Sequence, residues 1–503
     1  MYATFLTTLK VEHRDHQQEA VEWAVKIEKK TRNNLFNEGA NGGFIADDMG
    51  LGKTIVATGI MYMNKKQTLV VVPSILLQQW EERIKQLTPN YILFHGYKHK
   101  KITQEQLNQA EVVLTTYGLC SSPKLQEVIW QRIICDEAHH MRNSNTINYI
   151  YMMKLRGDIR WAFTGTPIQN SHKDMMSICR FLQLTPEVYV TKEVFNKTKH
   201  LFMLRRTKAD VGINLPELSR ININVEWESE QEKALAKKMF NYIQIGKKKP
   251  NDPNKLFDRV PGPFTMLPLM FIKEYDSTGR EKQKKGEKLK GLIQGHQFCI
   301  HPIMLEKLYK TMVDYRLVSS DTLEVIQNSS KMNKIVETIS THATNGNKKL
   351  VFCSFIKEME ILEERLQREC EGLSVNVLNG RKTQKERAEI MAKKPDILLM
   401  QIQMGCEGLN MQEYSEIYFS SPSWNPALYD QALGRCHRFG QTKPVNVYNF
   451  YMDEVENESY SSLQEQYSES ELELFNERPQ QYVMDTYMQK RQSEKRTIIS
   501  SYI

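Results

Sequence analysis

The chain has no cysteine pair of the Cys-x-x-Cys kind: its eight cysteines stand singly at 120, 135, 179, 299, 353, 370, 406 and 436. That pattern excludes a zinc ribbon and a thioredoxin-like redox site. Isolated cysteines in 503 residues point instead to a reduced, intracellular protein. His296, Cys299 and His301 come nearest to a ligand cluster, but with no second pair they read as packing and turn residues. No apolar run approaches the roughly 18–20 residues of a membrane span. The opening MYATFLTTLK lacks the basic, apolar, small-residue succession of a secretory signal. Short-period repeats and low-complexity tracts are lacking too. Charge excess is small: 68 Lys+Arg against 60 Asp+Glu leave +8, which hints at an anionic partner without naming one.

What is present excludes wholesale disorder, since 40% of residues are hydrophobic and 9% aromatic. The length is three or four domains' worth. Short apolar, β-rich runs fall at 43–46, 68–72, 111–115, 132–135 and 160–163, and again at 349–353, 374–378, 396–401, 416–420 and 445–451. Runs of four to six such residues, each followed by a polar or glycine-rich loop, describe strands buried on both faces. Their alternation with helical stretches predicts two parallel-sheet α/β domains, with ligands at the carboxyl ends of the strands. Between the halves, 229–246 reads as a helix and 247–268 is rich in Lys, Pro and Asn. Residues 280–290 hold six basic and two acidic side chains, which suit either a solvated face or a phosphate backbone. Residues 453–477 hold nine acidic residues and no Lys or Arg, with a partial apolar stripe predicting a surface helix. Setting those nine aside leaves +17 on the other 478 residues.

Four motifs follow strand-like runs or occupy a helix. In DDMGLGKT (47–54) the residues Asp47, Asp48, Met49, Gly50, Leu51 and Gly52 precede Lys53 and Thr54. Glycines let backbone N–H groups converge on phosphate at a helix N-terminus. Lys53 can neutralise the β/γ-phosphates and the Thr54 hydroxyl can bind Mg²⁺. In DEAH (136–139), Asp136 can hold Mg²⁺ and Glu137 can orient and deprotonate an attacking water. TGTPIQN (164–170) is the third motif. In QALGRCHRFGQ (431–441), Gln431, Arg435 and Arg438 are spaced to share one helical face, from which arginines could stabilise charge on a transferred phosphoryl group.

Together with LTTYG (114–118), DEAHHMRN (136–143), FTGTPIQN (163–170), FMLRRTKADV (202–211), QFCIHP (297–302) and SWNP (423–426), this ordered set resembles the Swi/Snf-type ATPases, double-stranded-DNA translocases of helicase superfamily 2. The likeness runs from about residue 9 to 460. It implies two RecA-like lobes, each a parallel β-sheet flanked by helices. The corresponding division is 1–215 for the N-terminal ATP-binding lobe, 216–330 for a helical and basic linker region, 331–452 for the C-terminal lobe and 453–503 for an acidic helical extension. It implies ATP with Mg²⁺ as cofactor, Gln17 reading the adenine, and Arg435 and Arg438 as arginine fingers beside Gln431. His139, Gln169 and Asn170 are similar to positions that couple nucleotide to DNA. Pro73, Ser74, Thr115, Thr116, Arg142, Ser354, Arg381, Asn410 and Trp424 sit in motifs that face the DNA backbone, where hydroxyls and main-chain N–H groups suffice.

Two departures stand out. QIQMGCEGLN (401–410) puts Gln401 where the family has serine and Cys406 where it has a second glycine, although Gly405, Gly408 and Asn410 remain. Asp15 and His16 replace the usual proline and aromatic residue of the adenine segment, so weaker base stacking is expected there. The resemblance implies a monomeric motor on duplex DNA that remodels or displaces DNA-bound proteins, with a protein partner supplying specificity and no membrane association. Its place would be the nucleus in a eukaryote, otherwise the cytoplasm, a viral replication compartment or the virion. The rival readings are a strand-separating or RNA-dependent helicase on the same lobes, and a DNA-binding scaffold that uses nucleotide only as a switch.

Overall fold

The computed structural model describes residues 1–29, 41–166, 168, 172–243, 287–316, 318–405, 409–455 and 483–502. Two parallel sheets form its frame. The first holds β1 (Asn41–Ile45), β2 (Thr68–Val72), β3 (Tyr91–Leu93), β4 (Val112–Thr116), β5 (Ile129–Asp136), β6 (Arg156–Phe163) and β7 (Met203–Leu204), in the order β3-β4-β2-β5-β6-β1-β7. The second holds β8 (Leu218–Val225), β9 (Lys348–Cys353), β10 (Val375–Leu378), β11 (Ile397–Gln401), β12 (Tyr414–Phe419) and β13 (Val445–Met452), in the order β10-β11-β9-β12-β13-β8.

The central strands are mostly buried and rich in apolar residues because helices cover both faces. In β2, Leu69 and Val71 enter one core with Trp130 and Ile133, while Val70 and Val72 enter another with Trp80 and Ile134. The second sheet repeats the alternation: Val351 and Cys353 face one core, Leu350 and Phe352 the other. Every strand anticipated from the sequence is present, and the bounds of β2 coincide with those expected. The expected helix at 229–246 is observed as Glu230–Ile243.

Edge strands β3, β7 and β8 were not anticipated. β8 corrects the expected division, in which 216–330 lay between the lobes. It pairs along its whole length with β13, from Leu218↔Val445 to Val225↔Met452. Phe298, Tyr309 and Ile326 also enter the core of the second sheet. An edge strand needs one apolar face at most, and β8 interleaves the polar Ser219, Arg220, Asn222 and Asn224 with its apolar residues, so it carries no continuous apolar run. The last helix, Met484–Tyr502, is likewise part of the second lobe. Val483, Met484 and Met488 are buried in its core, and Asp485 forms a fully buried ion pair with Lys331 at 2.6 Å. This helix carries Lys490, Arg491, Lys495 and Arg496 against Asp485 and Glu494, so it is not acidic. Residues 247–268, most of 280–290 and all but the first three residues of 453–477 lie outside the described residues.

A buried network fixes the helix Asp15–Lys29 to the first sheet. Arg132 on β5 donates to Glu28 at 2.7 and 2.6 Å, and Trp161 and Asn64 donate to the same carboxylate at 2.8 and 2.7 Å. With four donors the buried charge is compensated, so the helix start, which carries Gln17, has a fixed place over β1. The seven cysteines among the described residues are free and buried. No helix among them is long and apolar enough to cross a membrane.

Candidate nucleotide site and nucleic-acid face

The loop after β1 turns into the helix Lys53–Met63 through two glycines in the left-handed region, Gly50 at φ 89° and Gly52 at φ 83°. A side chain at either would strain the backbone. At Gly52 a Cβ would also lie 2.2 Å from Nε2 of Gln17. Gln17 is therefore packed on the loop, where it donates to the Leu51 carbonyl at 3.1 Å. Lys53 Nζ donates to the carbonyls of Asp47 and Asp48 at 2.9 and 3.3 Å. Burial pulls its pKa below the ordinary lysine value, against the opposing pull of Glu137, Asp136 and Asp47.

The loop is gripped by a segment whose role the sequence did not assign. Arg206 takes both oxygens of Asp47, at 2.5 and 3.2 Å, and donates to the His16 carbonyl at 2.5 Å, while Arg205 pairs with Asp48 at 3.6 Å. The RRTK run is thus a brace behind the phosphate loop. Its recurrence in the family motif was the only signal available, because Arg206 and Asp47 are 159 positions apart.

At the end of β5, Asp136 is buried, and each of its oxygens accepts one bond. Oδ2 accepts from the indole of Trp80 at 2.7 Å, and Oδ1 from the backbone N–H of Glu137 at 3.0 Å. Burial and the neighbouring Glu137 charge push its carboxyl above the usual range, with the Trp80 bond opposing them. Glu137 sits at φ 49°, a left-handed conformation costing a non-glycine residue on the order of 1 kcal/mol. Its burial works against ionisation, but His139, Lys53 and Arg435 outweigh that and hold its carboxyl below the usual range. His139 Nδ1 is 3.3 Å from Glu137 Oε2 and 3.5 Å from the Thr164 hydroxyl. The His139 ring stacks on His140, which stacks on Tyr117, whose hydroxyl donates to the Asp136 carbonyl at 2.7 Å.

The second lobe meets this site. Gln431 donates to Thr166 Oγ1 at 3.1 Å, and Lys208 donates to the His437 carbonyl at 2.8 Å. A Cβ on Gly434 would lie 3.5 Å from Met49, and one on Gly50 3.6 Å from Arg438. The helix Pro426–Cys436, begun by the Asn425 cap, carries Gln431 and Arg435. It ends before Arg438, so the expected single helical face holds for the first two only. Arg438 reaches the loop from the turn beyond. Lys53, Asp136, Glu137, Gln431, Arg435 and Arg438 are thus assembled around one loop. Thr54 in the first turn of its helix and Asp136 offer hydroxyl and carboxylate oxygens, the donors a hard cation such as Mg²⁺ takes. No group of three or more His, Cys, Asp or Glu suited to a metal occurs among the described residues. His296 bonds Ser421 at 2.8 Å and His301 caps Ile303, the packing and turn roles expected of them.

Most of the residues expected on DNA follow the carboxyl ends of parallel strands, whereas Thr115 and Thr116 are the last two residues of β4 itself. Pro73 and Ser74 follow β2, Ser354 follows β9, Arg381 follows β10, Asn410 follows β11, and Trp424 follows β12. Arg142 lies half-buried past β5. Arg381 and Asn410 are exposed, whereas Trp424 packs on Tyr487 of the last helix with ring centroids 5.9 Å apart. Thr115 is a correction: it is fully buried, and its hydroxyl donates to the Phe94 carbonyl at 3.0 Å, so it cannot reach a backbone phosphate. Thr116 at the strand end is buried too. Gln169, Asn170, Cys406 and Gly408 lie outside the described residues.

Two lobes of parallel sheet with a phosphate loop and carboxylate pair on one, and arginines on the other facing them, define a helicase-type ATPase. Residues 16–304 match the SNF2-related domain and 330–440 the helicase conserved C-terminal domain, and the chain belongs to the SNF2-related family, whose members are DNA-dependent ATPases. Over 478 residues it is 26% identical to a probable global transactivator of Orgyia pseudotsugata multicapsid polyhedrosis virus, covering 88% of this chain and 86% of that protein. Over 490 residues it is 23% identical to the ATP-dependent DNA helicase DDM1 of Arabidopsis thaliana, covering 86% of this chain and 58% of that one. The helicase domain of Hef from Pyrococcus furiosus, 15% identical and covering 90% of this chain and 98% of its own, shares the fold with a TM-score of 0.53.

Proposed function

We propose that this chain is an ATP-driven motor that moves along duplex DNA and displaces or remodels proteins bound to it. The observation carrying the proposal is the meeting of the lobes across the phosphate loop, with Arg435 and Arg438 opposite Lys53 and Glu137. In this reading Lys53 gives up its carbonyl partners for phosphate oxygens. Glu137, held ionised by His139, Lys53 and Arg435, takes the proton of the attacking water. Thr54 and Asp136 would hold Mg²⁺, which when bound neutralises charge between the β- and γ-phosphates. Arg435 and Arg438 stabilise the charge that develops on the γ-phosphoryl, so nucleotide favours the closed lobes and hydrolysis releases them.

Backbone contacts on the two lobes then grip alternately. Pro73, Ser74 and Arg142 serve on the first lobe, and Ser354, Arg381, Asn410 and Trp424 on the second. The turn Tyr97–Lys101 extends the first set. Tyr97 is 88% exposed, Lys100 lies over its ring at 5.7 Å, and His95 just before it lines a cavity with Ser74. The lysines of this turn suit a phosphate backbone, to which the exposed Tyr97 hydroxyl can donate. The motor acts as a monomer, with a protein partner supplying specificity. The test is ATP hydrolysis with no nucleic acid, duplex DNA, single-stranded DNA or RNA, beside Lys53→Ala and Glu137→Gln. Duplex DNA is expected to stimulate most. Greater stimulation by single strands or RNA would favour the strand-separating or RNA-dependent helicase, and ATP bound but uncleaved would favour the scaffold.

A further inference from the structure

The adenine segment leaves one face of the expected base site without an aromatic partner. Asp15 is an exposed carboxylate. The His16 ring, which stands where the family has an aromatic residue, is buried and bonded through Nε2 to the Leu51 carbonyl at 3.1 Å. His13 is engaged as well, with Gln18 at 2.8 Å and edge-on to Tyr2. Neither Asp15 nor the buried His16 offers a ring plane to a base.

The opposite lobe does. Phe439 immediately follows Arg438, is 52% exposed, and is held in its turn by Gly440 at φ 96° and by a bond from Gln412 to its carbonyl. Gln412 is itself fixed, its carbonyl accepting from Gln441 at 2.8 Å. The guanidinium carbon of Arg14 lies 3.9 Å from the Phe439 ring centroid. Arg14 also reaches Glu12 at 3.4 Å and remains partly exposed. It stands three residues before Gln17, which packs on the phosphate loop, and Phe439 stands one residue after Arg438, which abuts Gly50. The cation–π pair therefore spans the two lobes at the nucleotide loop, with one member from each lobe.

We propose that Arg14 and Phe439 form a two-sided clamp for the nucleobase, the phenyl ring on one face and the planar guanidinium on the other. The proposal rests on the nucleotide-site reading above and adds a base subsite to it. At 3.9 Å the pair has no room for a third layer, so a base enters by parting it. The base then takes over both stacking partners and joins the lobes at the end of the site away from the phosphates. Both stacking surfaces are indifferent to hydrogen-bonding edges, so the clamp favours large π-surfaces, purine over pyrimidine. Discrimination among purines is left to edge contacts such as Gln17.

The experiment titrates the full-length chain with 2-aminopurine riboside triphosphate, whose fluorescence falls when its base stacks, and displaces it with inorganic tripolyphosphate. In the wild type, binding quenches the probe. In Phe439→Ala and in Phe439→Leu, which keeps bulk without a ring, quenching is lost. Affinity for the probe falls roughly tenfold, within the range base–aromatic stacking contributes. Tripolyphosphate affinity is unchanged in both variants, and Phe439→Trp restores quenching. Arg14→Ala weakens the probe in the same sense. Equal probe affinity and quenching in wild type and Phe439→Leu would overturn the clamp while leaving the phosphate site intact. Binding of neither the probe nor tripolyphosphate by the wild type would overturn the nucleotide-site reading itself.

Discussion

Replacing Trp80 by phenylalanine isolates one bond at the centre of the site. The indole N–H donates at 2.7 Å to Oδ2 of a buried carboxylate, and a phenyl ring occupies most of the same space without a donor. A hydrogen bond to a charged group in such surroundings contributes about 1.5–3 kcal/mol. One pKa unit corresponds to about 1.4 kcal/mol. Part of the loss is recovered because Asp136 keeps its bond from the Glu137 N–H and gains space for water, so an upward shift of about one unit is expected. The sign follows from what Trp80 does now: it favours the ionised form, and burial and Glu137 oppose it. Without it, Asp136 takes up a proton at higher pH and loses the charge that would hold Mg²⁺. The acid limb of kcat/KM for ATP, measured from about pH 5 to pH 9, should move up by about one unit, with the alkaline limb unchanged. Circular dichroism establishes that the variant is folded. A folded Trp80→Phe protein whose acid limb coincides with that of the wild type would refute the reasoning.

Lys53→Ala and Glu137→Gln should each lower ATP turnover by at least about 100-fold, with Glu137→Gln retaining nucleotide affinity in a binding titration. Arg435→Ala should lower kcat by about 1,000-fold or more, while duplex DNA affinity measured by anisotropy stays near that of the wild type. Glu28→Ala leaves Arg132 charged and buried without its carboxylate, and should destabilise the first lobe by about 3–5 kcal/mol in urea unfolding. Tyr97→Ala removes a hydroxyl donor to phosphate, and should weaken duplex binding by about 1 kcal/mol and leave ATP hydrolysis without DNA unchanged.

How much the sequence disclosed depended on whether a residue's role was local. The strand Thr68–Val72 is legible because every one of its side chains is buried, which writes a continuous apolar run. β8 is not, because this edge strand has exposed Arg220, Asn222 and Asn224 interrupting its apolar residues. The phosphate loop, the DEAH carboxylates and the arginines are legible as motifs because their chemistry demands particular residues at fixed spacing. Their supports are not. Trp80 reaches Asp136 across 56 positions, Arg206 reaches Asp47 across 159, and Arg14 meets Phe439 from the opposite lobe. Thr115 shows the converse. Its motif resembled a DNA-facing one, but strand alternation turns its hydroxyl inward to the Phe94 carbonyl.

The most direct test of the motor is displacement of a third strand from a DNA triplex placed downstream of a plain duplex. The account predicts release that requires hydrolysable ATP, disappears in Glu137→Gln, and is delayed in proportion to the length of duplex before the triplex. Release that ignores duplex length, or that proceeds equally with a non-hydrolysable ATP analogue, would contradict movement along DNA.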